Sequence, residues 1–231
     1  MIDRFRTWVD ERERQWRRSF GRDLSTPAGR RAALLHYHLF DHAFLRVFWT
    51  NLYEIAPGVY RSNQPDHARL RRYRDMGIRT IINLRGPSDQ PSYRFERESC
   101  EALGLALVSN RIWARKPAPR ENLLAMIEAM RTVEGPFLFH CKSGADRAGF
   151  AAATYLMVFR GVPVAEAKAQ LSWRYWHLKS TETGVQDYIL DIYEARLARG
   201  TIGFEEWIAT EYDDRAIRAA FAARRPAAEL A

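Results

Sequence analysis

The residues best equipped for chemistry lie at 140–149, in the run His140-Cys141-Lys142-Ser143-Gly144-Ala145-Asp146-Arg147-Ala148-Gly149. Cys141 offers a sulfur nucleophile. Arg147, after five intervening residues, offers a planar fork that grips two phosphate oxygens at once. The small residues between them let backbone N–H groups converge on one anion. A helix starting there adds its free N–H groups and the positive end of its dipole. The same field favours the thiolate over the thiol. A phosphate held in such a nest lies directly above the sulfur, which is the arrangement for phosphoryl transfer through a phosphocysteine.

The flanks agree with that use. Pro136-Phe137-Leu138-Phe139 is short, apolar and aromatic, as a buried strand is, and residues 150–160 (FAAATYLMVFR) read as a buried helix. The order is strand, tight small-residue loop, helix. The plainer alternative is a buried cysteine followed by a helix-initiating turn.

At these ten residues the chain resembles the cysteine-dependent protein tyrosine phosphatase superfamily, whose signature is His-Cys, five residues, Arg, Ser or Thr, then Gly. A weaker resemblance to the dual-specificity branch extends over residues 55–175. A shorter loop would suggest a rhodanese-type sulfurtransferase, and low-molecular-weight phosphatases carry their loop near the N-terminus. The resemblance implies loop contacts to phosphate from Lys142, Ser143, Gly144, Ala145, Asp146 and Arg147. It also implies an orienting, non-titrating role for His140. Dual-specificity enzymes take a general acid from a loop some thirty residues before the cysteine, but residues 107–119 hold no Asp or Glu. The Asp146-Arg147 ending is similar to loops of lipid-directed phosphatases, in which the in-loop Asp is taken as the acid. That implies the acid role for Asp146, with Asp89 in reserve; the alternative is that Asp146 only accepts loop N–H bonds or pairs with an arginine. Lys142 resembles the lysine of phosphoinositide phosphatases, or is an exposed loop-edge residue. Ala148 departs from the signature, since the usual hydroxyl assists release of the thiolate.

Composition sets the frame. The 231 residues suffice for one sizeable domain, and 47% hydrophobic with 28% charged residues fits a soluble globular protein. The net charge is +8, and 32 of the 36 basic residues are arginine, which suits phosphate groups and anionic surfaces. Cys100 and Cys141 are the two cysteines. Cys100 reads as a small buried hydrophobe. A working thiol requires reducing conditions, so the expected location is cytoplasmic, with contact at the inner face of the membrane. Neither a signal peptide nor a spanning apolar stretch is present in the sequence.

Along the chain, residues 1–20 read as a basic amphipathic helix with Ile2, Phe5, Trp8, Val9, Trp16 and Phe20 near one face. Such a helix docks on a domain or lies on an anionic membrane. Residues 30–49 read as a second helix. His36, His38, Asp41 and His42 do not form a metal-binding pattern, because His36 and His38 point apart. A strand at 59–61 precedes a helix capped by residues 62–65 and ending near Met76. Residues 78–84 form a strand whose C-terminal end presents Arg85 to the ligand side of a parallel sheet. Then follow a helix at 91–103, a strand at 105–109, a helix at 120–131 and the strand before Cys141. A helix is expected over 164–176, with Trp173, Tyr175, Trp176 and His177 packed in the core. Helices at 184–199 and 202–222 precede a disordered tail at 224–231.

The sequence therefore predicts an α/β fold, a mainly parallel sheet flanked by helices, with extensions at 1–50 and 201–231 around a phosphatase domain at 51–200. The expected activity is hydrolysis of a phosphomonoester, carried by a lipid, an inositol or a protein, through a phosphocysteine. No cofactor, metal or nucleic-acid partner is called for. The rival is a phosphate-binding pseudophosphatase with little turnover.

Overall fold

The computed structural model describes residues 24–39, 41 and 43–231, so the helix expected over 1–20 lies outside them. At the centre is a five-stranded sheet of β1 (Tyr53–Ala56), β2 (Val59–Asn63), β3 (Thr80–Asn83), β4 (Ala106–Ser109) and β5 (Phe137–Cys141). Its order is β1-β2-β5-β3-β4. The last four named in that order run parallel, and β1 is an antiparallel edge. β3 and β5 are buried at every position, so their side chains do not alternate between core and solvent. Helices cover both faces, as parallel crossovers require.

The period of two along β5 divides its side chains. Phe137, Phe139 and Cys141 face the larger core, built with helices α5 (Arg120–Thr132), α6 (Asp146–Arg160), α8 (Val185–Leu197), α9 (Phe204–Thr210) and α10 (Asp214–Ala222). Leu138 faces a smaller core under α3 (His67–Asp75) and α4 (Pro91–Leu103). Phe204, Trp207 and Ile208 of α9 belong to the larger core too. In the smaller one, burial pushes the Cys100 thiol up to about 12, an inert hydrophobe at neutral pH.

Several expectations need correction. Residues 30–49 are not one helix: α1 (Pro27–Leu39) stops, and a single turn, α2 (Leu45–Phe48), follows. The break carries Asp41, whose buried carboxylate accepts hydrogen bonds from Arg46 (2.7 Å) and Arg85 (2.9 Å). The cap of α3 is Asp66, not residues 62–65. Strand β1 was not anticipated; its half-buried edge has no strong apolar alternation. Residues 164–176 hold only α7 (Val164–Ala167) and two 3-10 turns, because the Gln170 carbonyl turns to Arg61 instead of continuing the helix. Tyr175 and His177 are buried, but Trp173 and Trp176 are 64% and 58% exposed, so half of the aromatic cluster lies outside the core. The tail is ordered: a 3-10 turn at Ala227–Glu229 packs beside α8, with the Tyr188 hydroxyl donating to the Arg225 carbonyl at 2.9 Å. Among the described residues no helix is long and apolar enough to cross a membrane.

Two tests follow from these contacts. A Cβ on Gly149 would lie 2.7 Å from the Gln170 carbonyl oxygen and 2.8 Å from Leu171 Cδ2. Gly149→Ala should cost about 1–3 kcal/mol in urea unfolding, the usual range for overpacking. For Asp41, burial opposes ionisation, but Arg85, Arg46 and Lys142 outweigh it and hold the carboxyl at about 2. Its stabilisation is therefore complete above the unfolded value of about 4 and is lost as pH falls towards 2. Asp41→Asn should cost about 3 kcal/mol at neutral pH by leaving buried Arg46 unpaired, and the gap to wild type should narrow from about pH 4 downwards.

Candidate active site

β5 delivers Cys141 at the C-terminal end of the central strand, and α6 begins at Asp146. The segment between them curls back on the sulfur, so that the Gly144 N–H donates to Cys141 Sγ at 3.2 Å. The curl needs glycine at 144. Its φ is +74°, and a Cβ would come within 2.7 Å of the Asn63 nitrogen and of the Ser62 carbonyl carbon. Strand β2, in register with β5 at Asn63 and Cys141, forms the floor.

Beneath the loop lies Arg61, a fully buried cation. Its Nη2 donates to the carbonyl oxygens of Gly144 (2.7 Å) and Ala145 (3.1 Å). Its Nη1 donates to the Gln170 carbonyl (2.8 Å) and to Gln170 Oε1 (2.9 Å), and the guanidinium lies 3.9 Å from the Tyr175 ring centroid. With these carbonyls turned down, trans peptide planes turn the N–H groups of Ala145 and Asp146 the other way. Burial lowers Arg61 to about 10, so it stays charged at neutral pH and adds positive potential under the nest. Asn51 ties the rim: its Nδ2 lies 3.1 Å from the carbonyl oxygens of both Ser143 and Tyr175.

His140 points away from the loop, to the α4 side, and pairs through Nε2 with Glu96. Glu96 in turn accepts from Asn83 Nδ2 (2.8 Å) and Gln64 Nε2 (3.1 Å). This buried network locks the strand end that carries Cys141.

Arg147 opens into a cleft of about 470 Å³ with Arg85, Arg111, Arg115, Lys116, Arg218 and Trp113. The Arg147 Nε is buried and hydrogen-bonded to nothing among the described residues. A buried donor without a partner is uncommon, and an anion in the cleft would satisfy it. Arg85 lines this cleft and also pairs with Asp41 and Gln64. Lys142 Nζ is 3.6 Å from Asp41; burial holds its pKa below the usual lysine value despite that carboxylate. Asp89 is elsewhere. It is exposed and lines a separate hollow with Tyr93, Arg94 and Arg97. Ala148 is fully buried and brings no hydroxyl to the loop.

Asp146 remains at the loop, held from an unexpected direction. Its Oδ1 is 2.8 Å from His177 Nδ1, and His177 Nε2 is 2.6 Å from Asp187 Oδ2. Burial lowers the imidazole's proton affinity, but the two carboxylates outweigh it and raise His177 to about 9. Sequence reading missed Arg61, His177, Asp187, Glu96 and the role of Asp41. An arginine inside the Val59–Asn63 strand was the one local signal; the partners lie too far along the chain for spacing to reveal them.

A family model described as "Swiss Army Knife protein, DSP-PTPase phosphatase domain" matches residues 54–186. The dual specificity protein phosphatase TpbA of Pseudomonas aeruginosa is 28% identical over 111 residues, 48% of each chain. The chain thus spans about half the length of the curated relatives it matches. A DUF442 protein from Shewanella putrefaciens CN-32 shares the fold, with a TM-score of 0.52 and 18% identity, over 63% of this chain and 90% of that one. The crystal structure of TpbA covers 75% of this chain and 91% of its own, at 22% identity and a TM-score of 0.47. With its cysteine loop inside a family match that takes in more than half of its length, the chain belongs to the PTP-SAK family, a DSP-PTPase domain of the cysteine-dependent phosphatase class.

Proposed function

We propose that this protein hydrolyses phosphomonoesters through a phosphocysteine at Cys141, on substrates that carry more than one phosphate. The observation that carries this reading is the loop curled on Cys141 Sγ beside a cleft of six cationic side chains. One reacting phosphate needs only the nest and Arg147. The further cations, Arg111, Arg115, Lys116 and Arg218, have the chemistry to hold additional phosphates of an inositol or lipid headgroup. A phosphotyrosine side chain would use few of them.

The chemistry follows from the positions. Cys141 Sγ attacks phosphorus as the bond to the leaving oxygen breaks. Loop N–H groups and the Arg147 fork hold the equatorial oxygens as charge develops. Asp146 gives its proton to the leaving oxygen. Water then attacks phosphorus, the S–P bond breaks, and Asp146 takes the proton from the water. Asp41 is unsuited to the acid role, since at about 2 it is a carboxylate throughout the working range. Fully buried Ala148, without a hydroxyl to assist the thiolate, favours the second reading, a binding module with little turnover.

Cys141→Ser should abolish phosphate release from an aryl phosphate, and Arg147→Lys should lower kcat/KM by roughly 10²–10³-fold. Asp146→Asn should lose roughly 10²–10⁴-fold on an alkyl phosphate and far less on an aryl phosphate with a good leaving group. Removing the charges of Arg115 and Lys116 together should raise KM for an inositol polyphosphate and leave the small aryl phosphate unaffected. Wild-type protein that binds inorganic phosphate yet releases none from any of these substrates would establish the binding module instead.

A further inference from the structure

We propose that His177 is the positioning residue of this site, an imidazolium that fixes the Asp146 carboxyl and stabilises the carboxylate formed as its proton leaves. The proposal rests on the phosphatase reading and deepens it. Its basis is geometric. His177 lies 31 residues after Asp146 in the chain, on neither of the helices it joins. It is nonetheless buried, with both ring nitrogens spent: Nδ1 on Asp146 at the start of α6, Nε2 on Asp187 in α8. An imidazole facing a carboxylate from each nitrogen is best satisfied with both N–H groups donating.

The fold goes to some length to hold it there. Trp176, immediately before, adopts a left-handed conformation with φ +63°, a strained one for a non-glycine residue. Tyr175 is clamped by the Arg61 guanidinium at its ring and by Asn51 Nδ2 at its carbonyl. The His177 N–H is tied to the Ser172 carbonyl at 3.2 Å. These tie-downs come from β2, the segment before β1 and the preceding turn. Their common result is one ring placed between two carboxylates, and two of the tethers, Arg61 and Asn51, also hold the phosphate loop.

With Oδ1 held by His177, the second oxygen of Asp146 is the one left to meet the leaving group. Asp146 carries the single proton that cycles from water to the leaving oxygen. His177 keeps both of its protons throughout and acts as fixed positive charge. The charged groups around this unit are Asp146 from α6, Asp187 from α8 and, through Asp146, Arg61 from β2.

The test is a pH profile of kcat on an alkyl phosphate, joined to an NMR titration of the His177 ring nitrogens. The value of about 9 belongs to the state in which Asp146 is a carboxylate, the state that follows its proton transfer, so in resting wild type the ring should titrate near it and kcat should fall over the same range. Asp187→Asn removes one of the two carboxylates, so both midpoints should move to lower pH by about one unit or more. His177→Asn retains a donor to Asp146 without the charge. It should lower kcat on the alkyl phosphate by about 10²-fold, spare a good-leaving-group aryl phosphate, and leave inorganic phosphate binding unchanged. An alkaline limb that stays in place in Asp187→Asn, or persists in His177→Asn, would overturn the proposal and reduce His177 to a clip between helices. A neutral His177 in wild type at pH 7 would do the same. Loss of phosphate release from wild type itself would instead overturn the phosphatase reading, while the nitrogen titration would still report the charge on His177.

Discussion

The site depends on one buried guanidinium. Arg61 is taken wholly out of water, which is costly for a cation, and it recovers that cost through carbonyl oxygens and an aromatic face. Those carbonyls belong to Gly144, Ala145 and Gln170, so one side chain binds the phosphate loop to the segment beyond α6. The orientation of the loop N–H groups is the other side of the same bonds. A nest for an anion is built by satisfying its carbonyls from below with a charge of the right sign.

A second set of charges surrounds the mouth. The residues before β1 bring Asp41 into a group of three cations, Arg46, Arg85 and Lys142. Two of these sit at the loop or at the strand end beside it, and a single carboxylate holds them in place. Of the other cleft cations, Arg115 lies 3.7 Å from Glu182 and Arg111 donates to the Pro87 carbonyl. Six cations thus line one cleft, and Asp41 sets how much of the charge at its edge is already matched.

Much of this was legible without coordinates. The ten-residue run from His140 to Gly149 carried the candidate nucleophile, the candidate phosphate fork and the need for a tight turn, because each is a matter of residue type at short spacing. The run 91–103 matched helix α4 residue for residue, since Pro91 starts it and Gly104, with φ +66°, ends it. Reading failed where an element is shaped by a partner far away. Residues 164–176 look helical by composition, yet the Gln170 carbonyl is claimed by Arg61, and the helix gives way. Asp89, the nearest aspartate ahead of the loop, is carried by the chain's path to another hollow.

The strands other than β1, the cysteine loop and the family resemblance follow from local pattern, because backbone propensity and short spacing act within a few residues. Which side chains meet Asp146 and the carbonyls of the loop was decided only by tertiary structure. Electrostatic partnership acts through space: Arg61 meets Gly144 across 83 residues of chain, and His177 meets Asp146 across 31. Side chains so far apart in sequence acquire a common chemistry only when packing removes the water between them.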